Sequence, residues 1–97
     1  MALYAVTYSY TDDDDTLDRV RPEHREYLRG LVDQEHLVLS GPWASGELPG
    51  ALLLFQADTR DAVEGFVAKD PFTEAGVISE YSVTEWEPVM GSLYSEL

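Results

Sequence analysis

Cysteine is absent from the 97 residues of the chain, and this absence excludes several kinds of site. The chain can form no disulfide framework, no thiolate nucleophile and no zinc site with sulfur ligands. Histidine is scarce as well, with two residues, and it is the side chain that most readily exchanges a proton near neutral pH. Acid/base chemistry therefore has few candidate residues.

Basic residues are few. The chain has six lysines and arginines against nineteen aspartates and glutamates, which gives a formal net charge of -13 at pH 7. Lys69 is the single lysine. Proteins bind nucleic acid largely by neutralising its phosphates. A chain with this much negative charge opposes that interaction. We expect no nucleic-acid partner.

Long apolar runs are missing too. No stretch approaches the roughly 18 apolar residues of a membrane-spanning helix, and residues 1–4 do not resemble the start of a secretion signal. We therefore expect no membrane partner and a cytoplasmic location. The length predicts one domain over residues 1–97, with its core at about 3–91, an acidic loop at 11–16 and a C-terminal tail at 92–97.

Four segments are predicted to be β-strands. The first alternates tyrosine and valine on one parity with smaller side chains on the other, which is typical of a strand. The third is an apolar run throughout, and we expect it to be buried on both faces. The predicted strands are residues 3–10, 37–40, 51–57 and 77–87.

Two segments have helical spacing. In the first, Val20, His24, Leu28 and Leu31 recur at intervals of three and four residues. We expect this helix to begin near Leu17 or at Pro22, which would place His24 near its start. The second helix is predicted from residue 60 to about 68, and a further helical turn is predicted at 73–76.

The order of elements is strand, helix, strand, strand, helix, strand. Right-handed crossovers then place both helices on one face of an antiparallel sheet, which predicts an α+β, ferredoxin-like βαββαβ fold. The first and third strands carry apolar side chains on both parities, so the second sheet face also needs cover. A second copy is the simplest cover, and we expect a homodimer with twofold symmetric contacts.

Five short motifs are spread along the chain: Ala5-Val6-Thr7-Tyr8, Arg21-Pro22-Glu23-His24, Leu39-Ser40-Gly41-Pro42, Asp70-Pro71-Phe72 and Glu85-Trp86. Together they resemble the YciI-like (YCII-related) domain family, and the likeness runs from about residue 3 to 91. Membership would imply a dimeric α/β-barrel of ferredoxin-like subunits, similar to the muconolactone isomerase and antibiotic-biosynthesis monooxygenase folds. The resemblance also implies that His24 and Asp70 are a catalytic pair, and it links the chain to relatives with lyase-type dehalogenation and hydrolase-like chemistry.

The two residues of this pair also have structural interpretations. His24 lies on the inner face of the predicted helix, where it could exchange protons or simply satisfy hydrogen bonds. Asp70 precedes Pro71, and a loop aspartate commonly caps the turn that follows. As half of a dyad it would instead fix one imidazole tautomer. A carboxylate has two oxygens, so both roles can coexist, and we expect Asp70→Asn to damage turnover more than stability.

Five further residues are predicted to bind substrate: Tyr8, Ser40, Gly41, Phe72 and Trp86. Ser40 lacks the flanking glycines of a nucleophile elbow, so we expect its hydroxyl and the Gly41 backbone to bind a polar group of the ligand instead. The three aromatic residues are candidates to line the same cavity. Aromatic residues on strands also serve in cores and dimer interfaces, and that alternative stays open.

Two charged segments have competing interpretations. Arg21, Arg25 and Arg29 put half of the basic residues on one helix flank, where they either attract an anionic substrate or pair with acidic neighbours on the helix. Residues 12–15 are all aspartate but lack the spacing of a calcium loop, so we expect a solvated acidic loop. We recognise no metal site.

Taken together, these features predict a small cytoplasmic enzyme that acts on a small organic molecule by general acid/base chemistry of the lyase, isomerase or hydrolase type. His24 would carry the proton and Asp70 would orient it, and no cofactor is expected. One alternative is a noncatalytic, small-ligand-binding or regulatory dimeric module that uses the same pocket. Another is a purely structural dimer, because a fold by itself does not determine a function.

Overall fold

The computed structural model describes residues 1–96, so Leu97, the last residue of the predicted tail, lies outside the described residues. Every predicted strand and both predicted helices are present, in the predicted order. The elements are β1 (Ala2–Tyr10), α1 (Asp14–Asp33), β2 (Leu37–Pro42), β3 (Gly50–Ala57), α2 (Arg60–Lys69), α3 (Pro71–Glu74), β4 (Ile78–Trp86) and a 3₁₀ turn at Tyr94–Glu96.

The four strands form one antiparallel sheet in the order β2-β3-β1-β4. This order and the two crossovers confirm the ferredoxin-like βαββαβ fold. Tyr8 in the central strand β1 pairs with Ala51 on one side and Tyr81 on the other. A Cβ on Gly50 would overlap the carbonyl oxygen of Tyr8, so glycine lets β3 approach β1 closely at this point.

The core lies between one sheet face and the helices. Alternate residues of β1 point into it, which agrees with the period of a strand. On the other sheet face Leu54 is buried but Leu52 is 39% exposed, so the expectation that β3 is buried on both faces is wrong for Leu52 in a single chain. Core residues from the central strands and α2 include Tyr4, Val6, Tyr8, Leu53, Phe55, Val63 and Val67.

Helix α1 begins earlier than either predicted start. Asp13 caps it, accepting hydrogen bonds from the backbone N–H and the hydroxyl of Thr16 at 3.1 and 2.7 Å. The two aspartates of the first turn also suit the positive end of the helix dipole. Pro22 therefore lies inside the helix, and His24 lies in its middle instead of near its start.

The turn after α1 has the hydrogen bonds of a Schellman motif. The N–H of His36 donates to the carbonyl of Leu31, and the N–H of Glu35 donates to that of Val32, both at 2.9 Å. Glu35 has a φ of 63°, a left-handed conformation usually filled by glycine. Among residues 1–96, no helix combines the length and the apolar character needed to cross a membrane.

Candidate active site

A buried carboxylate lies at the centre of the candidate site. Asp70 is 0% exposed and accepts three hydrogen bonds. Its Oδ1 accepts from Nδ1 of His24 at 2.8 Å and from the backbone N–H of Phe72 at 2.9 Å, and its Oδ2 accepts from the hydroxyl of Tyr8 at 2.9 Å. These three donors offset the cost of removing the carboxylate from water.

Local sequence explains how Asp70 reaches this position. It ends α2 and caps α3, with extended backbone, and Pro71 occupies the first turn of α3. A proline at that place favours extended backbone in the residue before it and suits the start of a helix. The bond to the N–H of Phe72 is the capping bond. Capping and the contact with His24 therefore coexist, and both use Oδ1.

The imidazole of His24 is held on two sides. His24 is 8% exposed. Its ring stacks on the ring of Phe72, with the two centroids 4.0 Å apart and an angle of 9° between the ring planes. Because a carboxylate can only accept, Nδ1 carries the hydrogen of the bond to Asp70. In the neutral ring Nε2 then holds the free lone pair, and no residue of 1–96 hydrogen-bonds to it.

The His24 ring forms part of the wall of an open cavity of about 390 Å³. This volume is within the range of small-molecule sites. Leucines from α1, β2 and β3 provide apolar walls, and the end of β2 contributes Ser40 and Gly41. Tyr10 closes another side and meets the edge of Phe72 at a centroid distance of 5.4 Å.

Three tyrosines near Asp70 are held in their neutral form. Burial raises the pKa of Tyr8 far above its usual value, and the charge of Asp70 raises it further. Burial and then Asp70 also raise the pKa of Tyr10 and of Tyr27 to about 12. Tyr8 therefore remains a hydrogen-bond donor to Asp70 throughout the neutral range.

The structure brings together some of the predicted site residues and separates others. His24, Phe72, Ser40 and Gly41 line the cavity, and Asp70 lies directly behind His24. Tyr8 is 1% exposed and is not part of the wall. Its hydroxyl donates to Oδ2 of Asp70 in the protein interior. Trp86 lies on the opposite sheet face, where it lines a separate groove of about 580 Å³.

Several residues of the cavity wall were not among the predicted site residues, and Tyr10 and Arg25 are two of them. Tyr10 is at the end of β1 and belongs to the alternate residues whose side chains point towards the helices. That position in the sequence could have indicated that Tyr10 lines the cavity. Arg25 was part of the predicted arginine stripe but was not singled out. Its neighbours one turn away in the helix include no acid, and this lack of a local partner was the available signal. Among residues 1–96, no group of three or more histidines and carboxylates is arranged to hold a metal ion.

This arrangement can move a proton. Nε2 of a neutral His24 can accept one from a molecule in the cavity, and Asp70 would then face an imidazolium through the Nδ1 hydrogen bond. The stack against Phe72 limits rotation of the ring. The lone pair therefore has a defined direction.

Comparison with known proteins identifies the family. Similar solved structures include 5-chloro-2-hydroxyhydroquinone dehydrochlorinase from Burkholderia phenoliruptrix AC1100 in complex with 2,5-dihydroxybenzoquinone, with 25% identity, a TM-score of 0.76 and coverage of 88% of this chain and 93% of that chain. A dimeric ferredoxin-like protein from Jannaschia sp. CCS1 has 19% identity, a TM-score of 0.52 and coverage of 91% and 100%. An antibiotic biosynthesis monooxygenase has 13% identity, a TM-score of 0.60 and coverage of 93% and 100%.

No curated protein matches the chain by sequence. The family model for the YCII-related domain matches residues 2–87, which is most of the chain. It covers all four strands, the helix that carries His24, and Asp70 between α2 and α3. The chain therefore belongs to the YCII-related domain family.

Proposed function

We propose that the chain is an enzyme that acts on a small organic molecule by general acid/base catalysis, with His24 as the proton carrier and Asp70 as its orienting partner. The observation that carries the proposal is the 2.8 Å bond between Nδ1 of His24 and buried Asp70, beside a cavity of about 390 Å³. A fixed tautomer is what a general base needs.

The proposed step is an elimination. Nε2 of His24 accepts a proton from an O–H or C–H group of the bound molecule, and the electron pair left behind forms a double bond. A leaving group departs with its own bonding pair. Asp70 stabilises the imidazolium, which then gives its proton to the leaving group or to solvent. An isomerisation would return the same proton to another atom of the substrate.

The comparison with known enzymes supports this reaction class. The dehydrochlorinase from Burkholderia phenoliruptrix removes the elements of HCl, as its name states, and shares the fold over most of both chains. We propose a halogenated or hydroxylated ring compound as the first substrate class to assay. The apolar walls of the cavity and its stacked Phe72 are compatible with a flat ring.

The replacement His24→Asn tests the proton carrier. Asparagine can still donate an N–H to Asp70 but cannot exchange a proton near neutral pH. We expect kcat for elimination, measured as halide release from 5-chloro-2-hydroxyhydroquinone and related ring compounds, to fall by about a hundredfold or more. His36→Asn is the matched control, because His36 lies outside the cavity wall, and it should keep its activity.

Two results would contradict the proposal. Turnover by His24→Asn equal to that of the wild type would remove His24 from the reaction. Tight binding of the ring compounds with no turnover by the wild type would favour the alternative, a noncatalytic ligand-binding module. Thermal unfolding of each variant separates loss of chemistry from loss of fold.

We also propose that two copies pack their open sheet faces together. Leu39, Leu52 and Trp86 on this face are 67%, 39% and 47% exposed, and they line the groove of about 580 Å³. A monomer rarely leaves so continuous an apolar surface in water. A second copy presents the same surface, and twofold pairing covers both at once.

A further inference from the structure

The charge around the His24 cavity is opposite in sign to that of the chain. Nineteen acidic residues face six basic ones in the sequence. Three of those six, Arg21, Arg25 and Arg29, line the cavity, and within residues 1–96 its wall includes no aspartate or glutamate. Asp70 lies behind the wall and is fully buried. A distribution of this kind favours an anion inside the cavity.

The three arginines are not equivalent. Arg21 pairs with Asp18, and Arg29 pairs with Glu26 at 3.1 Å, so an acid three residues earlier holds each guanidinium. Arg25 forms no ion pair within residues 1–96. The reason lies in the helix geometry, because the neighbours of position 25 at three and four residues are Arg21, Pro22, Leu28 and Arg29.

Like charges flank Arg25 on the helix. Arg25 lies one turn from a like charge on each side, which is unfavourable in an isolated helix. The same three arginines, together with Asp18 and Pro22, border a smaller hollow of about 300 Å³ on the same flank of α1. An anion that reaches Arg25 would relieve the repulsion and give the guanidinium a partner.

We propose that the cavity selects a small organic carboxylate and that Arg25 is the residue that binds the carboxylate group. The proposal rests on the proposed function for its claim that this ligand is the substrate, and it narrows the substrate class given there to compounds that also carry a carboxylate group. A guanidinium fork matches two carboxylate oxygens. The leucine walls and Phe72 would contact the apolar body, which would lie against Nε2 of His24. A carboxylate fits better than a phosphate because, of the three arginines in the wall, Arg25 alone has no acidic partner within residues 1–96, and one guanidinium suits a monoanion.

The test compares acids with their own amides. Benzoate, cyclohexanecarboxylate and butyrate, each beside its primary amide, are titrated into the full chain, and binding is followed by NMR of the His24 and arginine side chains. We expect at least one acid to bind about tenfold more tightly than its amide. Arg25→Gln should remove that preference. Arg19→Gln, which makes the same charge change on α1 outside the cavity wall, should keep it.

Each other outcome overturns the proposal. Equal binding of acid and amide, or no binding of any acid at the His24 ring, would show that the cavity does not select carboxylates. An equal loss in Arg19→Gln would reduce the effect to overall charge. Tighter binding of phenyl phosphate than of benzoate would replace the carboxylate with a phosphate.

The variant His24→Asn separates this proposal from the proposed function. If both hold, His24→Asn loses turnover but keeps the preference for acid over amide. If only the anion selectivity is wrong, turnover depends on His24 and the acid and amide bind equally. If only the catalytic role is wrong, the preference survives in the wild type while His24→Asn turns over normally.

Discussion

At the scale of single residues, the site depends on how Asp70 is satisfied. Its partners come from three places far apart in the chain: Tyr8 in β1, His24 in α1 and the backbone of Phe72 in α3. The capping bond could be predicted from Asp70-Pro71 alone, because it is local. The bond to His24 spans 46 residues, and it was expected only from the family resemblance.

Tyr8 has a role that the sequence did not reveal. As an aromatic residue on a strand it was predicted to bind substrate, but its hydroxyl donates to Oδ2 of Asp70 in the protein interior. The inward parity of β1 predicts that its ring is buried, and parity carries no information about what the hydroxyl meets. We propose Tyr8 as a positioning residue that holds the carboxylate in place for His24.

Replacing Tyr8 with phenylalanine tests this role. The loss of one donor to a buried carboxylate should lower the free energy of unfolding by about 1–3 kcal/mol at neutral pH. Burial and Asp70 raise the pKa of Tyr8, so its contribution is complete below the ordinary tyrosine value of 10.0 and is lost as the pH rises above it. The stability difference between Tyr8→Phe and the wild type, measured by urea unfolding, should therefore shrink in alkaline solution. A difference that grows above pH 10.0 would contradict the role.

At the scale of elements, periodicity predicted the sheet and its helix-covered face well. Successive side chains of a strand point to opposite sheet faces, and the buried residues of β1 follow this period of two. The start of α1 was predicted near Leu17 or at Pro22, and both positions are later in the chain than the observed start at Asp14. Asp13 and the acidic first turn stabilise an earlier start, and the helix continues through Pro22.

The turn between α1 and β2 offers a test of backbone conformation. Glu35 has positive φ in a Schellman motif, whereas its neighbour Gln34 has ordinary φ of -85°. Glu35→Gly should raise the free energy of unfolding by up to about 1 kcal/mol, because glycine adopts this conformation without steric cost. Gln34→Gly is the matched control and should lower it, since glycine there only adds freedom to the unfolded chain. Chemical denaturation of both variants provides the measurement, and stabilisation by both or by neither would count against this explanation.

At the scale of the whole molecule, the two sheet faces have different tasks. One packs against the helices and builds the site around Asp70. The other sheet face exposes leucine and tryptophan side chains to solvent in a single chain. Under our proposal a second copy covers this face. The sequence indicated that both faces were apolar, but the exposed fraction of Leu52 depends on what the sheet meets. Only the folded chain reveals that this face is open within one subunit.

The replacement Leu52→Asp tests the homodimer. We expect light scattering to give a mass of twice 10.9 kDa for the wild type and a single chain mass for the variant, because a charge buried between two sheets is unpaired. Leu48→Asp makes the same change at an 86% exposed loop position and should remain dimeric. High salt should strengthen the dimer, since the subunits carry like charge. A wild type that stays monomeric would contradict the proposal.

The proposed function depends on the tautomer of His24, since Asp70 is expected to hold the hydrogen on Nδ1 and to leave Nε2 free towards the cavity. Long-range nitrogen–proton NMR of the wild type measures the tautomer of His24 directly, with His36 as an internal comparison. We expect neutral His24 to carry its hydrogen on Nδ1, where the bond to Asp70 shields that hydrogen from exchange. Hydrogen on Nε2, or rapid interchange of the two tautomers, would contradict it.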